Sequence, residues 1–404
     1  MVIDYIFLIV GGFAAFLVAW VNGANNAANA IGSAVGSGMM SIRKALWFTA
    51  LFDLLGALFF GKFVSITLLR GIVNISIIDD PLIVVIGMIT ALFSTGLWLI
   101  ITTLLKIPMS ISQAIVGAIL GFGLVTVGFS QINWSKVFEI IASWIYLPFV
   151  SIVLSIILYR IHSRIVSKPS YLRFIIVYIV FTTCILFTTI FLLLVKTTRI
   201  TDVFYAFTLS IIISISISLL STVIIHRILP KNIDYAREFV FKTLLFFSCM
   251  AMAFSHGAND VANSAGPLAG IIYIYEQGRI PGDLVDIPFT AILLSGIGIS
   301  LGIIMWGYRV VETIGEKITT LTIETGFIAQ FSGSLTILIV TRLGLPVSTT
   351  VAIVGAITGV GLARGVRSIN TKTIFKIITM WFIGFPAVAG LTALLTFIGI
   401  ELIK

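Results

Sequence analysis

The polar side chains with the most chemical capacity in this 404-residue chain fall in two short patterns, each present twice. Residues 22–36 read NGANNAANAIGSAVG and residues 256–270 read HGANDVANSAGPLAG, an ungapped match that keeps Gly23/Gly257, Asn25/Asn259, Asn29/Asn263 and Gly32/Gly266. On a helix, Asn26 and Asn29, or Asp260 and Asn263, lie three apart and share a face. Amides buried in apolar surroundings must find partners, and the adjoining Gly and Ala residues permit a helix break and close approach of another backbone. Carbonyls freed by such a break would join the amide oxygens of Asn22, Asn25, Asn26, Asn29, Asn259 and Asn263 and the carboxylate of Asp260. That all-oxygen cage suits a hard monovalent cation, and we read it as a sodium site. The competing reading is an amide ladder that only joins spans; duplication and the carboxylate weigh against it.

The second pattern is PMSISQAIVGAILGFGL at 108–124, matched without gaps by PVSTTVAIVGAITGVGL at 346–362. Pro followed by hydroxyls reads as a helix start. Ser110, Ile111, Ser112 and Gln113 on one copy, and Ser348, Thr349 and Thr350 on the other, would place backbone N–H groups, hydroxyls and a positive dipole end deep in an apolar chain. Two such tips can clasp a tetrahedral oxyanion. Ordinary capping of two spans at the interface is the alternative. Upstream, ALFS at 91–94 matches AQFS at 329–332 and Thr103 matches Thr341, which makes both threonines accessory candidates. Asp53, a carboxylate inside LFDLLGALFFG, serves an accessory cation or a helix contact; the related FTAILLSG segment holds no acid. His256 occupies the place of Asn22 and reads as a hydrogen-bonding residue.

The elements that must hold these residues are set by composition. The chain is 59% apolar and 10% charged, with mean hydropathy +1.17; a water-facing surface needs about a quarter charged residues. This excludes a soluble multidomain enzyme, and the number of apolar runs excludes a single-span receptor. About twelve runs are present, near 5–40, 45–69, 82–105, 108–128, 137–159, 174–195, 203–226, 243–275, 288–308, 319–342, 345–363 and 376–400. They are continuous, not alternating, so an all-α polytopic membrane protein is expected instead of a barrel. The first run lacks a cationic leader and reads as a retained span.

The net charge of +9 resides in short loops and describes topology, not nucleic-acid binding. Arg43/Lys44, the run from Arg160 to Arg173, the run from Arg227 to Lys242, and the run from Arg364 to Lys376 fall on one face. That face is cytoplasmic by the positive-inside rule, with both termini outside. The duplicated patterns then divide the chain into repeats at 1–160 and 235–404, joined by spans within 161–234. The repeats have inverted topology with discontinuous helices or re-entrant hairpins, the architecture of alternating-access transporters. Cys184 and Cys249 are packing residues, and no GxSxG, HExxH or Walker sequence is present, so an ion gradient must supply energy.

At this point the residues resemble those of the inorganic phosphate transporter (PiT) family. Its hallmark GANDVAN is intact at Gly257–Asn263 and departs twice, at Asn26 and Ala27, in the first copy. The resemblance implies symport of inorganic phosphate with sodium, or with protons in some branches. It also implies phosphate on Ser110–Gln113 and Ser348–Thr350, and sodium near Asn25, Asn26, Asp260 and Asn263. Asn26 replaces an Asp of the family motif, so one carboxylate of the pair is lost. A proton-coupled phosphate or sulfate symporter and an anion channel are the alternatives. The expected setting is the cell membrane, with phosphate, sodium and lipid as partners and a second copy of the chain as a candidate one.

Overall fold

The computed structural model describes residues 4–61, 71–166, 170–197, 203–281, 287–342 and 348–403. Its helices are α1 Tyr5–Gly36, α2 Ile42–Phe60, α3 Pro81–Leu104, α4 Ile111–Thr126, α5 Trp134–Val166, α6 Tyr171–Thr197 and α7 Val203–Ile228. They continue as α8 Ile233–Asp260, α9 Ala262–Gln277, α10 Phe289–Trp306, α11 Tyr308–Glu312, α12 Ile323–Arg342, α13 Thr349–Arg364 and α14 Thr371–Ile403. Each of the apolar runs read from the sequence contains one of these helices in its described part. Polar residues start several of them: Asp4, Asp80 ahead of Pro81, Ser110, Asn232 and Ser348 each accept a backbone N–H of the first turn.

Among the described residues, nine helical stretches are long and apolar enough to cross a membrane. The chain is a multi-pass all-α membrane protein. α4 and α13 differ, at 16 residues each. At about 1.5 Å per residue they span roughly 24 Å, less than a hydrocarbon core of about 30 Å.

The expected helix break at the first Asn-rich motif is absent, because α1 runs unbroken from Tyr5 to Gly36. Asn25, Asn26 and Asn29 each reach a partner on another element by side chain, without the backbone opening. The second motif is interrupted only at Val261, which keeps right-handed helical angles (φ −55°, ψ −33°) and a long bond from its N–H to the Gly257 carbonyl (3.4 Å). Pro267, inside α9, has no N–H to give to the carbonyl one turn before it.

α1 occupies the centre, packed by α3, α9, α10, α11 and a π-helical turn at Thr313–Lys317. α2 lies between α8 and α10, and α6 joins α7 to α8. The short helices pack crosswise: α4 lies against α14, and α13 against α5. Glycine makes both crossings possible. A Cβ at Gly117 or Gly121 would strike the Phe385 or Ala389 carbonyl, and one at Gly355 would meet the Pro148 carbonyl at 2.9 Å. Hydroxyls of Ser151 and Ser155 fasten the second crossing by donating to the Ala352 and Ala356 carbonyls (2.6 and 2.7 Å).

Candidate functional site

The short link between α3 and α4 is irregular backbone anchored by side chains. Lys106 takes a left-handed conformation (φ 58°), which turns the chain back after α3. Four successive carbonyls then meet side chains from four different elements. Thr313 donates to Lys106 O (2.8 Å), Asn25 to Ile107 O (3.1 Å), Trp381 to Pro108 O (3.0 Å), and the Thr350 hydroxyl reaches Met109 O (3.3 Å). Asn25 adds a bond to Thr103 Oγ1 (2.9 Å) and accepts the Met109 N–H at Oδ1 (2.7 Å). Both the nitrogen and the oxygen of this buried amide are therefore engaged in holding the turn that leads into α4.

The tip of α13 meets the same place. Asn29 Nδ2 donates to Thr350 Oγ1 (2.9 Å) and Thr349 Oγ1 (3.3 Å). The single Thr350 proton faces Asn26 Oδ1 (3.1 Å) as well as Met109 O, while Asn26 Nδ2 donates to Asn22 Oδ1 (2.6 Å). Ser110 and Ser348 cap their helices by accepting the N–H of Gln113 and of Val351, both at 3.3 Å. Thr350 is 1% exposed and Gln113 2%, so the two helix starts converge inside the protein and not at a membrane surface. Ile111 is buried beside them, and Ser112 is half-buried. Two buried acceptors at this junction have no partner, Asn29 Oδ1 and Gln113 Oε1. A buried polar atom without a partner costs about 1–3 kcal/mol unless something else satisfies it.

Gln330, on α12, was not singled out from the sequence. It donates from Nε2 to the Asn29 carbonyl (3.1 Å) and accepts from Ser33 Oγ at Oε1 (2.8 Å), which locks α12 to the first motif. The only sequence signal is that AQFS carries a polar residue where ALFS carries Leu92. Trp381 gave no signal at all.

The second motif is built differently. Asp53 Oδ2 on α2 lies 2.5 Å from His256 Nδ1, and His256 Nε2 lies 3.0 Å from Asp260 Oδ2 at an angle that makes no hydrogen bond. All three groups are buried. With both carboxylates ionised the cluster keeps a net negative charge, even on protonated His256, inside an apolar body. Asn263 follows Asp260 by one turn and is 7% exposed, and Asn259 is half-buried. Among the described residues, no hydrogen bond joins Asp260 or Asn263 to the amides of the first motif. Asp53 therefore meets a helix neighbour and the second motif together. Gly257 crosses the Asp53 carbonyl as Gly23 crosses that of Ile299. The backbone of Thr341 belongs to α12; its side chain, and Pro346, lie outside the described residues.

A model of the family described as the phosphate transporter family matches residues 22–393. The chain belongs to that family. A candidate phosphate permease of Pyrococcus furiosus is 36% identical over 386 residues, covering 94% of this chain and 92% of its own. An inorganic phosphate transporter of Arabidopsis thaliana chloroplasts is 32% identical, covering 95% of this chain and 70% of its own. A solved sodium-dependent phosphate transporter superposes with a TM-score of 0.91 at 36% identity, covering 99% of this chain and all of its own. This phosphate transporter family member thus keeps the hydroxyl-bearing helix starts and the Asn-rich motifs in one described core, and its first motif carries no acid.

Proposed function

We propose that the chain carries inorganic phosphate across the cell membrane by symport with sodium. Phosphate sits between the starts of α4 and α13, held by Ser110, Ile111, Ser112 and Gln113 from one side and Ser348, Thr349 and Thr350 from the other. The observation that carries this reading is the contact between Thr350 Oγ1 and the Met109 carbonyl, which brings the two helix starts together in a buried place. Backbone N–H groups at both starts, with dipoles aimed inward, offer what a tetrahedral oxyanion needs when it leaves water.

Sodium is drawn to the negative charge shared by Asp53, His256 and Asp260 and to the oxygens of the Asn-rich motifs. It offsets the anion's charge, so phosphate binds poorly without it; that is the coupling. Asn25 and Asn26 act through position in this conformation, since protein partners consume their amides. The similar sodium-dependent transporter supports the choice of cation.

The repeats at 1–160 and 235–404 are related by inversion. In support, the packing of α1 on α10 answers that of α8 on α2, and α4 on α14 answers α13 on α5. The crosswise pairs suggest that the bodies which rock are α3–α4–α14 and α5–α12–α13, not the sequence halves. Both termini lie outside, with the basic loops in the cytoplasm. Uptake of labelled phosphate into proteoliposomes tests the proposal: an inward sodium gradient should drive accumulation, and uptake indifferent to sodium but driven by external acid would overturn the cation assignment.

A further inference from the structure

We propose that the groove between α2 and α10 holds an acyl chain of an anionic phospholipid whose headgroup is gripped by Arg43 and Lys44. The groove has a volume of about 480 Å³ and is lined by Lys44, Trp47, Phe48, Leu51 and Leu54 along one stripe of α2 and by Ser300 and Ile304 of α10. From Lys44 to Leu54 the helix rises roughly 15 Å, the depth of a single leaflet. It closes at the inner end, where Gly296 lets α10 approach so closely that a Cβ would meet Leu54 Cδ1 at 3.3 Å and Ala57 Cβ at 3.2 Å.

The walls offer a ligand nothing polar. The hydroxyl of Ser300 is spent within them, between the Gly296 carbonyl (2.9 Å) and the Ala50 carbonyl (3.2 Å). Charge enters only at the mouth. Arg43 and Lys44 are exposed there, in the first turn of α2, where the helix dipole opposes cations. Neither has an ion pair among the described residues. The acid on neighbouring α11, Glu312, is taken by Lys317 (3.2 Å) and Lys106 (3.7 Å). Trp47, 58% exposed, stands beside them at the level where interfacial aromatics sit. An apolar slot of leaflet depth with unneutralised cations and an aromatic residue at its mouth matches an acyl chain below a negatively charged headgroup. A zwitterionic headgroup would bring its own ammonium to those cations, and a second copy of this +9 chain would bring like charge.

The full chain reconstituted in vesicles gives the test, through quenching of Trp47 by brominated lipids. Subtracting the signal of Trp47→Phe removes the other six tryptophans. At equal mole fraction, brominated phosphatidylglycerol should quench Trp47 more than brominated phosphatidylcholine does. The expected preference is roughly fivefold per basic contact, since one such contact near a membrane surface contributes about 1 kcal/mol. Raising salt on the unaltered chain should erase the preference, as should the double substitution Arg43→Gln/Lys44→Gln, whereas Arg43→Lys/Lys44→Arg should keep it. Equal quenching by the two lipids at low salt overturns the proposal in favour of ordinary lipid solvation. No quenching by either, with cross-linking between copies at Trp47, overturns it in favour of a protein partner.

Discussion

The two Asn-rich motifs share their spacing and little else. The first sits in an unbroken helix, is neutral, and uses its amides to hold the starts of α4 and α13 through Asn25, Asn26 and Asn29. The second is interrupted at Val261, bears Asp260, and binds sideways through His256 to Asp53 on α2. The shared spacing thus keeps polar groups in both copies, while substitution separates what they do: one copy joins two helix starts and the other carries the acid. The division has a physical basis. A carboxylate and a phosphate repel in a medium of low dielectric, so charge is best kept on the copy that does not touch both helix starts.

The largest expected effect comes from removing that charge. Asp260→Asn leaves His256 beside a single carboxylate and takes away the anion proposed to attract sodium. Breaking a buried charge pair costs about 3–5 kcal/mol, so sodium-stimulated uptake should fall by roughly a hundredfold or more, with the sodium half-saturation point lost. Sodium dependence unchanged from the parent would show that the asymmetry between the motifs plays no part in coupling. Next in size is the neutral copy. Thr350→Val strands Asn26 Oδ1 and takes from Asn29 Nδ2 the shorter of its two bonds, at about 1–3 kcal/mol for a buried group left unpaired. Phosphate half-saturation should rise by about an order of magnitude or more while Thr350→Ser stays near the parent. Equal behaviour of the valine and serine variants would remove the hydroxyl from the site.

These contrasts mark how far the sequence could be read. Among the described residues each apolar run contributes a helix, because continuous hydrophobicity of this length has few other outcomes in lipid. The tips at Ser110 and Ser348 were legible for a similarly local reason: proline, hydroxyl and small apolar residues act within one turn. The unbroken α1 was not legible, since an amide satisfied by a distant carbonyl at Ile107 and one satisfied by its own unwound backbone have the same sequence. The partner of Asp53 was hidden for a related reason. Gly56 crosses the Phe254 carbonyl and Gly257 that of Asp53, and such crossings exist only after helices pack.

A smaller effect tests the brace behind the first motif. Gln330→Leu copies the residue at the matching place in the other half, Leu92, and loses the bonds to the Asn29 carbonyl and to Ser33. The replaced group is apolar and fills similar space, so the cost is near 1–2 kcal/mol, to be measured as a drop in unfolding temperature of the purified protein. Maximal uptake should fall more than phosphate half-saturation changes, because Gln330 holds α12 to α1 and touches neither helix start. The opposite split would place Gln330 in the anion site.

The smallest effect concerns the acid missing from the first copy. Asn26→Asp turns a donor to Asn22 Oδ1 into an acceptor, which at 2.6 Å is untenable as it stands. Asn22, however, has a buried Nδ2 with no partner. A flip of its amide would present that donor to the new carboxylate, and the Thr350 hydroxyl already points at the same position. Hydrogen bonds to a charged group contribute about 1.5–3 kcal/mol each, which offsets much of the burial cost of the charge. The variant should fold, keep phosphate uptake within about tenfold of the parent, and bind sodium more steeply, seen as a higher Hill coefficient in sodium titrations of labelled phosphate binding. If the added acid instead abolished phosphate binding at every sodium concentration, the neutrality of the first motif would be a requirement of the anion site and not a division of labour that the second motif makes possible.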